Sequence, residues 1–190
     1  MFVLAIAQQP NQTVVRAWPG ACPQACCSYN TEWVATKRTQ AFAEPPTSSD
    51  TPGTPVFVVQ PGEAVRALTG TLFTLETGVL RVNQDFSTTA TYGDFSDRHR
   101  QTVTLNAGET REIFAVRSES IYSIMHKGTI VDALLGLVGT RDACARARTA
   151  CVGVVAKAPV TRWWVMVMNG QKAAGWIEEP RGFTIARPCQ

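Results

Sequence analysis

Six cysteines carry most of the chemistry this 190-residue chain has to offer: Cys22, Cys26, Cys27, Cys144, Cys151 and Cys189. An even number suits a disulfide set, because an oxidising compartment disfavours free thiols. Cys144 and Cys151 are near enough in sequence to close one loop, and the arginines Arg141, Arg146 and Arg148 make that loop basic. We expect a disulfide there. The pairing of Cys22, Cys26, Cys27 and Cys189 stays open. Zinc held by Cys22, Cys26 and Cys27 is the sharper alternative. Their spacing is not Cys-x2-Cys and no histidine is near, so we expect no metal.

Catalysis finds little support. A Cys-His pair needs a thiol held free beside His99 or His126. His99 sits in Asp97-Arg98-His99-Arg100, which reads as a solvated connector, and His126 precedes a Lys127-Gly128 turn. Glu109, Glu119 and Glu178-Glu179 look like turn residues rather than a hydrolytic carboxylate pair. Neither a Gly-x-Ser-x-Gly elbow nor a phosphate-binding glycine loop occurs. We therefore expect no enzyme activity and no cofactor.

The elements that position these residues read as strands. Arg162 to Ile177 (RWWVMVMNGQKAAGWI) pairs an apolar run rich in strand formers with an Asn169-Gly170 turn and a second strand anchored by Trp176. We expect Trp163–Met168 to pair antiparallel with the strand of Trp176. Glu32–Glu44 reads as one strand and Val56–Val59 as another. Gln60-Pro61-Gly62-Glu63 is a turn signal, and Ala64–Leu68 is a strand that Gly70 breaks. Thr71–Val82 gives two more short strands. Asn83–Arg100 reads as a mobile connector. Strands follow at Gln101–Leu105, Ile113–Val116, Ile121–His126 and Thr129–Val131, and Asp132–Val138 is a helix or a strand. Many short strands at close spacing indicate an all-β barrel or sandwich.

These motifs resemble the bacterial SH3-like domain family, small five-stranded barrels common in exported and cell-wall-associated proteins. The first half of the pattern is Ala41–Glu44, Pro45-Pro46, Ser48-Ser49, Val56–Val59 and Gly62-Glu63-Ala64-Val65. The second half is Trp164-Val165-Met166-Val167, Asn169-Gly170 and Gly175-Trp176-Ile177. Roughly ninety residues separate the halves, well beyond ordinary loop lengths. Within that stretch Gly108-Glu109, Ser118-Glu119-Ser120, Tyr122-x-x-Met125 and Lys127-Gly128 repeat the same cues. The arrangement is thus one SH3-like barrel (residues 30–82 and 162–190) interrupted by an inserted β-rich module (83–161). The alternative is two degenerate barrels in tandem. The interrupted barrel requires Glu63–Leu68 to lie in the same sheet as Trp164.

The resemblance implies a binding module for a peptide or a peptidoglycan or other cell-envelope component. Phe42, Trp163, Trp164, Trp176 and Tyr122 are the candidates to line its groove, between the Pro45–Pro55 loop and the Asn169-Gly170 hairpin. Trp163, Val165 and Val167 share one strand face; Trp164, Met166 and Met168 share the other. One face fills the barrel, and we expect the inserted module to cover the other. The rival reading is a structural or inhibitory scaffold whose tryptophans are all core. Residues 1–7 (MFVLAIA) resemble the end of a secretory signal, with Ala5-Ile6-Ala7 fitting the cleavage rule. A secreted or periplasmic location follows. No run is long enough to span a bilayer. A net charge of +3 is too small to imply a nucleic-acid partner.

Overall fold

The computed structural model describes residues 16–23, 28–45, 53–92, 99–118, 120–135, 138–139, 144, 151–178 and 182–185. The fold is all-β. The chain begins with β1 (Arg16–Pro19), β2 (Glu32–Ala35), β3 (Thr39–Phe42), β4 (Pro55–Val59) and β5 (Ala64–Glu76). It continues through β6 (Gly78–Val82), β7 (Phe86–Tyr92), β8 (His99–Leu105), β9 (Thr110–Ser118), β10 (Ile121–His126) and β11 (Thr129–Leu134). The last strands are β12 (Val138–Gly139), β13 (Gly153–Lys157), β14 (Val160–Met168), β15 (Ala174–Glu178) and β16 (Phe183–Ile185).

Two sheets result. The first, curled into a half-barrel, runs β16-β2-β5-β14-β15-β3-β4, with β1 also paired to β5. The second runs β12-β13-β6-β9-β10-β11-β7-β8. β14 pairs antiparallel with β15, so that Met166 lies opposite Trp176. It also pairs along the length of β5, with Val167 opposite Ala67 and Trp164 opposite Thr71. The chain therefore leaves the first sheet after β5, builds the second, and returns to complete the same antiparallel pair.

Strand for strand, the two sheets correspond. The series β2, β3, β4, β5, β14, β15, β16 has the same neighbours as β6, β7, β8, β9, β10, β11, β13, and every one of these pairs is antiparallel. The turns before β5 and β9 match atom for atom. The Gly62 N–H donates to the Ala35 carbonyl at 2.7 Å and Ala35 N–H to the Glu63 carbonyl at 2.9 Å. In the second unit the Gly108 N–H donates to the Val82 carbonyl at 2.9 Å and Val82 N–H to the Glu109 carbonyl at 2.9 Å. Gly62 and Gly108 both have φ of 85°, a conformation that favours glycine. One seven-strand plan is thus used twice, with β12 added beside β13 in the second copy, which lies in sequence between β5 and β14 of the first.

Several elements differ from the sequence reading. Glu32–Glu44 holds two strands rather than one, with a turn at residues 36–38. β5 passes through Gly70 without a break. The glycine serves a close approach instead: a Cβ there would lie 1.9 Å from the Tyr29 hydroxyl and 2.8 Å from Trp163 Nε1. Asn83–Arg100 is not simply a connector, since β7 pairs with β8 from Phe86↔Leu105 to Tyr92↔His99. Its threonines suit a half-exposed strand, which polar composition alone conceals. Asp132–Leu134 continues β11, and residues 136–137 lie outside the described set. The Asn169-Gly170 turn is longer than a two-residue hairpin. Asn169 Oδ1 accepts the N–H groups of Gln171 and Ala173, both at 3.0 Å, and Lys172 takes the left-handed conformation with φ of 63°.

Each unit has its own core. The first gathers Trp33, Val65, Ala67, Leu72, Trp163, Val165, Val167 and Ile177; the second gathers Leu80, Val103, Leu105, Ile113, Tyr122, Ile124 and Val131. Trp33 opposite Val65 and Leu80 opposite Arg111 occupy the same place in the two registers. Phe114 and Ala115 of β9 join the first core, and Met125 and Ile130 pack against it. The second unit thus meets the face of β14 that carries Trp163, Val165 and Val167, which also fills the half-barrel. Hydrogen bonds reinforce the junction: Trp18 Nε1 donates to Thr74 Oγ1 at 2.8 Å, and that hydroxyl donates to the Phe114 carbonyl at 2.6 Å. Arg117 lies 5.2 Å from the Trp18 ring centroid and 3.5 Å from the Asp132 carboxylate.

Candidate functional site

A groove of about 360 Å³ opens where the end of β4, the start of β5 and the β14–β15 turn meet. Phe57, Val58 and Val59 form one wall, Glu63, Ala64 and Val65 a second, and Asn169 to Gln171 the third. β4 is placed here because it ends the strand order of the first sheet. Its inner edge pairs with β3, Val59 opposite Thr39 and Val58 opposite Gln40. Its outer edge is unpaired among the described residues, which leaves backbone donors and acceptors for an added strand. Val56 on this strand is 46% exposed. Gly175 lets the β15 backbone approach the wall, since a Cβ there would stand 3.2 Å from the Phe57 ring.

Among the described residues Glu63 is the one ionisable side chain in the lining. Its carboxylate accepts the Gln60 N–H at 2.5 Å and forms no ion pair among the described residues. The corresponding region of the second unit is furnished differently. Glu109 repeats Glu63 and accepts the Asn106 N–H at 3.3 Å, and two residues on, where the first unit has Val65, stands Arg111. The Arg111 guanidinium is bound to the Glu109 carboxylate. The Asn106 side chain and N–H, with Arg111 added, hold Glu109 below the usual carboxylate range. His126 ends β10, at the position of Asn169. It is buried, and burial with the charges of Arg111 and Lys127 holds its imidazole below the ordinary value.

The aromatic residues singled out in the sequence are split by the fold. Trp164 is wholly buried and Phe42 meets it edge-on at 6.1 Å between centroids. Phe42 also lies opposite Trp176, and both are half-buried. Those three residues come together. Trp163 points to the other face, packs edge-on against Trp33 at 6.1 Å, and donates from Nε1 to the Tyr29 hydroxyl at 3.2 Å. Burial pushes Tyr29 up to about 12, against the lowering effect of that bond. Tyr122 sits in the core of the second unit. Trp163, Trp164 and Tyr122 therefore offer a ligand no surface, and the five do not form one groove. Their types signal burial as strongly as binding.

The groove lies beside the Asn169-Gly170 turn and none of the five aromatic candidates lines it; residues 46–52 of the Pro45–Pro55 loop lie outside the described set. The lining residues Phe57, Val58 and Ala64 fall in the strand and turn motifs read from the sequence but were not among the candidates to line a groove. Their signal is the unbroken apolar run Val56–Val59, too apolar on both faces for a strand with one face in solvent. A smaller hollow of about 240 Å³ lies between the β2–β3 turn and β16, bordered by Lys37, Arg38, Phe42 and Phe183. Cys144 and Cys151 form the expected disulfide, with Cα atoms 5.6 Å apart. Cys22 is also disulfide-bonded. Cys26, Cys27, Cys189 and residues 1–7 lie outside the described set. No helix of the described residues is long and apolar enough to cross a membrane. No protein-family model, curated protein or solved structure matches this chain.

Proposed function

We propose that the protein is a non-catalytic, exported binding module of SH3-like type, and that it holds an extended peptide or cell-envelope component in the groove between β4, β5 and the β14–β15 turn. The observation that carries this reading is the groove itself: an apolar wall from β4, a polar wall from the β14–β15 turn, a strand edge unpaired among the described residues and an exposed carboxylate at a single place. Such a surface suits a ligand that adds a strand by backbone hydrogen bonds and seats alternate side chains against the walls. The curled first sheet and its Gly-Glu turn support the SH3-like assignment. Disulfides at Cys22, Cys144 and Cys151 support an oxidising compartment and remove those sulfurs as nucleophiles.

The rival scaffold reading draws on the burial of Trp163 and Trp164. Ala64→Trp separates the two. Ala64 is exposed and lines the groove, so the larger side chain fills it while suiting a strand. Retention on purified peptidoglycan and on an array of extended peptides is measured for both proteins, with thermal melting as the control for folding. Loss of retention in a variant that melts like wild type supports the binder. Equal retention, or none by either protein, favours the scaffold.

A further inference from the structure

We propose that the partner held in this groove carries a basic side chain, arginine or lysine, that pairs with Glu63. The inference rests on the binding reading above and names the chemistry of its ligand. Its basis is the second unit, which shows what the same turn does when the pair is complete. Glu109 stands where Glu63 stands, in a turn with the same backbone hydrogen bonds, and Arg111 supplies the cation two residues further along the strand. In the first unit that strand position is Val65, and the rest of the lining contains no cation among the described residues. Among those residues the first unit thus keeps the acceptor and lacks the donor.

The surroundings suit a donor from outside. Glu63 Oε2 is turned back to the Gln60 N–H, which holds the carboxylate in place before any ligand arrives. Phe57 and Val58, both half-buried, give apolar surface along which an arginine or lysine stem can lie, with the charged head at the carboxylate. A guanidinium suits this best, because its planar fork matches a carboxylate with two oxygens. The unpaired outer edge of β4 runs beside the same groove, so an extended peptide can bond to the edge and place one basic side chain on Glu63. An acidic or uncharged partner leaves the carboxylate unanswered.

The test is selection of a displayed random decapeptide library on immobilised wild-type protein, with the Ala64→Trp protein for counter-selection. The expected result is a set of peptides with Arg or Lys at a fixed distance from an apolar residue. A synthetic peptide from that set should bind Glu63→Gln about three- to tenfold more weakly, and should lose the same factor when its basic residue becomes Gln. The two losses should not add, because both remove one pair. Gln at this position keeps an oxygen for the Gln60 N–H, so the turn is retained. Val65→Arg, which copies the second unit, should supply the cation internally and abolish the selection. Should Val65→Arg not fold, Glu63→Gln decides. Peptides that need the open groove but show no basic residue, or bind Glu63→Gln as tightly as wild type, overturn the charge pairing and leave the groove standing. No peptide distinguishing wild type from Ala64→Trp overturns both.

Discussion

The two β-units share a strand order, a Gly-Glu turn and a pattern of antiparallel neighbours, yet they differ at the spot where β4 or β8 turns into the next strand. In the first unit that spot is an open groove, part apolar and part polar, whose carboxylate forms no ion pair among the described residues. In the second, an arginine answers the carboxylate and lies close enough to act on a buried histidine. The difference rests largely on one position, Val65 against Arg111. The shared plan repeats the backbone of the turn, while the side chains that furnish it differ between the units.

The largest expected effect comes from the core of the first unit. Trp164 is fully buried, so Trp164→Ala should cost about 3–5 kcal/mol in a denaturant melt. A change within 1 kcal/mol (about the spread of surface substitutions) would mean that the side chain is not core in solution. The next effect belongs to the second unit alone. Reduction of Cys144–Cys151 should remove roughly 2–3 kcal/mol, since the bond closes a short loop in the unfolded chain. Hydrogen exchange should then quicken in β6 and β13, which lie next to that loop, before it quickens in β5 and β14.

Acid and alkali probe the units separately. Tyr29 in the first unit ionises at about 12 rather than its ordinary 10.0. The unfolded chain loses this proton first, so the contribution of Tyr29 is complete below pH 10.0 and is lost as pH rises to about 12. Tyr29→Phe should flatten that loss in stability measured against pH. His126 in the second unit titrates below its ordinary value. The unfolded chain then takes up the proton first, so stability falls as pH drops below about 6.5 and continues to fall until the folded imidazole is itself protonated. Arg111→Val, which makes the second unit like the first, should raise the His126 titration midpoint followed by NMR and shrink this acid slope. An unmoved midpoint would remove Arg111 from the account of His126.

The strand pattern of Trp163–Met168 and a turn after it in the first unit, and the Cys144–Cys151 bond in the second, were legible in the sequence: all depend on neighbours close in the chain, where residue type and spacing carry the message. The duplication was visible only as scattered cues. Trp33 and Leu80 hold the same register place, as do Val65 and Arg111, without any likeness of side chain. Pairing of β5 with β14 joins segments on opposite sides of a whole second unit, and no local signal records it. Gly70 misled because glycine breaks a strand and admits a close neighbour with equal readiness; the neighbour, Tyr29, lies far away in sequence. The apolar faces of β14 misled for a related reason. Alternation tells which residues share a face but not what that face meets, so Trp164 read as a ligand platform.

The proposal that the first unit binds through Glu63, while Arg111 occupies the corresponding carboxylate of the second, is tested most directly by amide NMR of the whole protein, titrated with a selected arginine-containing decapeptide. The account predicts shifts at residues 57–59, 63–65 and 169–171, with the corresponding residues 103–105, 109–111 and 126–128 unmoved. Shifts concentrated in the second set, or spread equally over both, would contradict it.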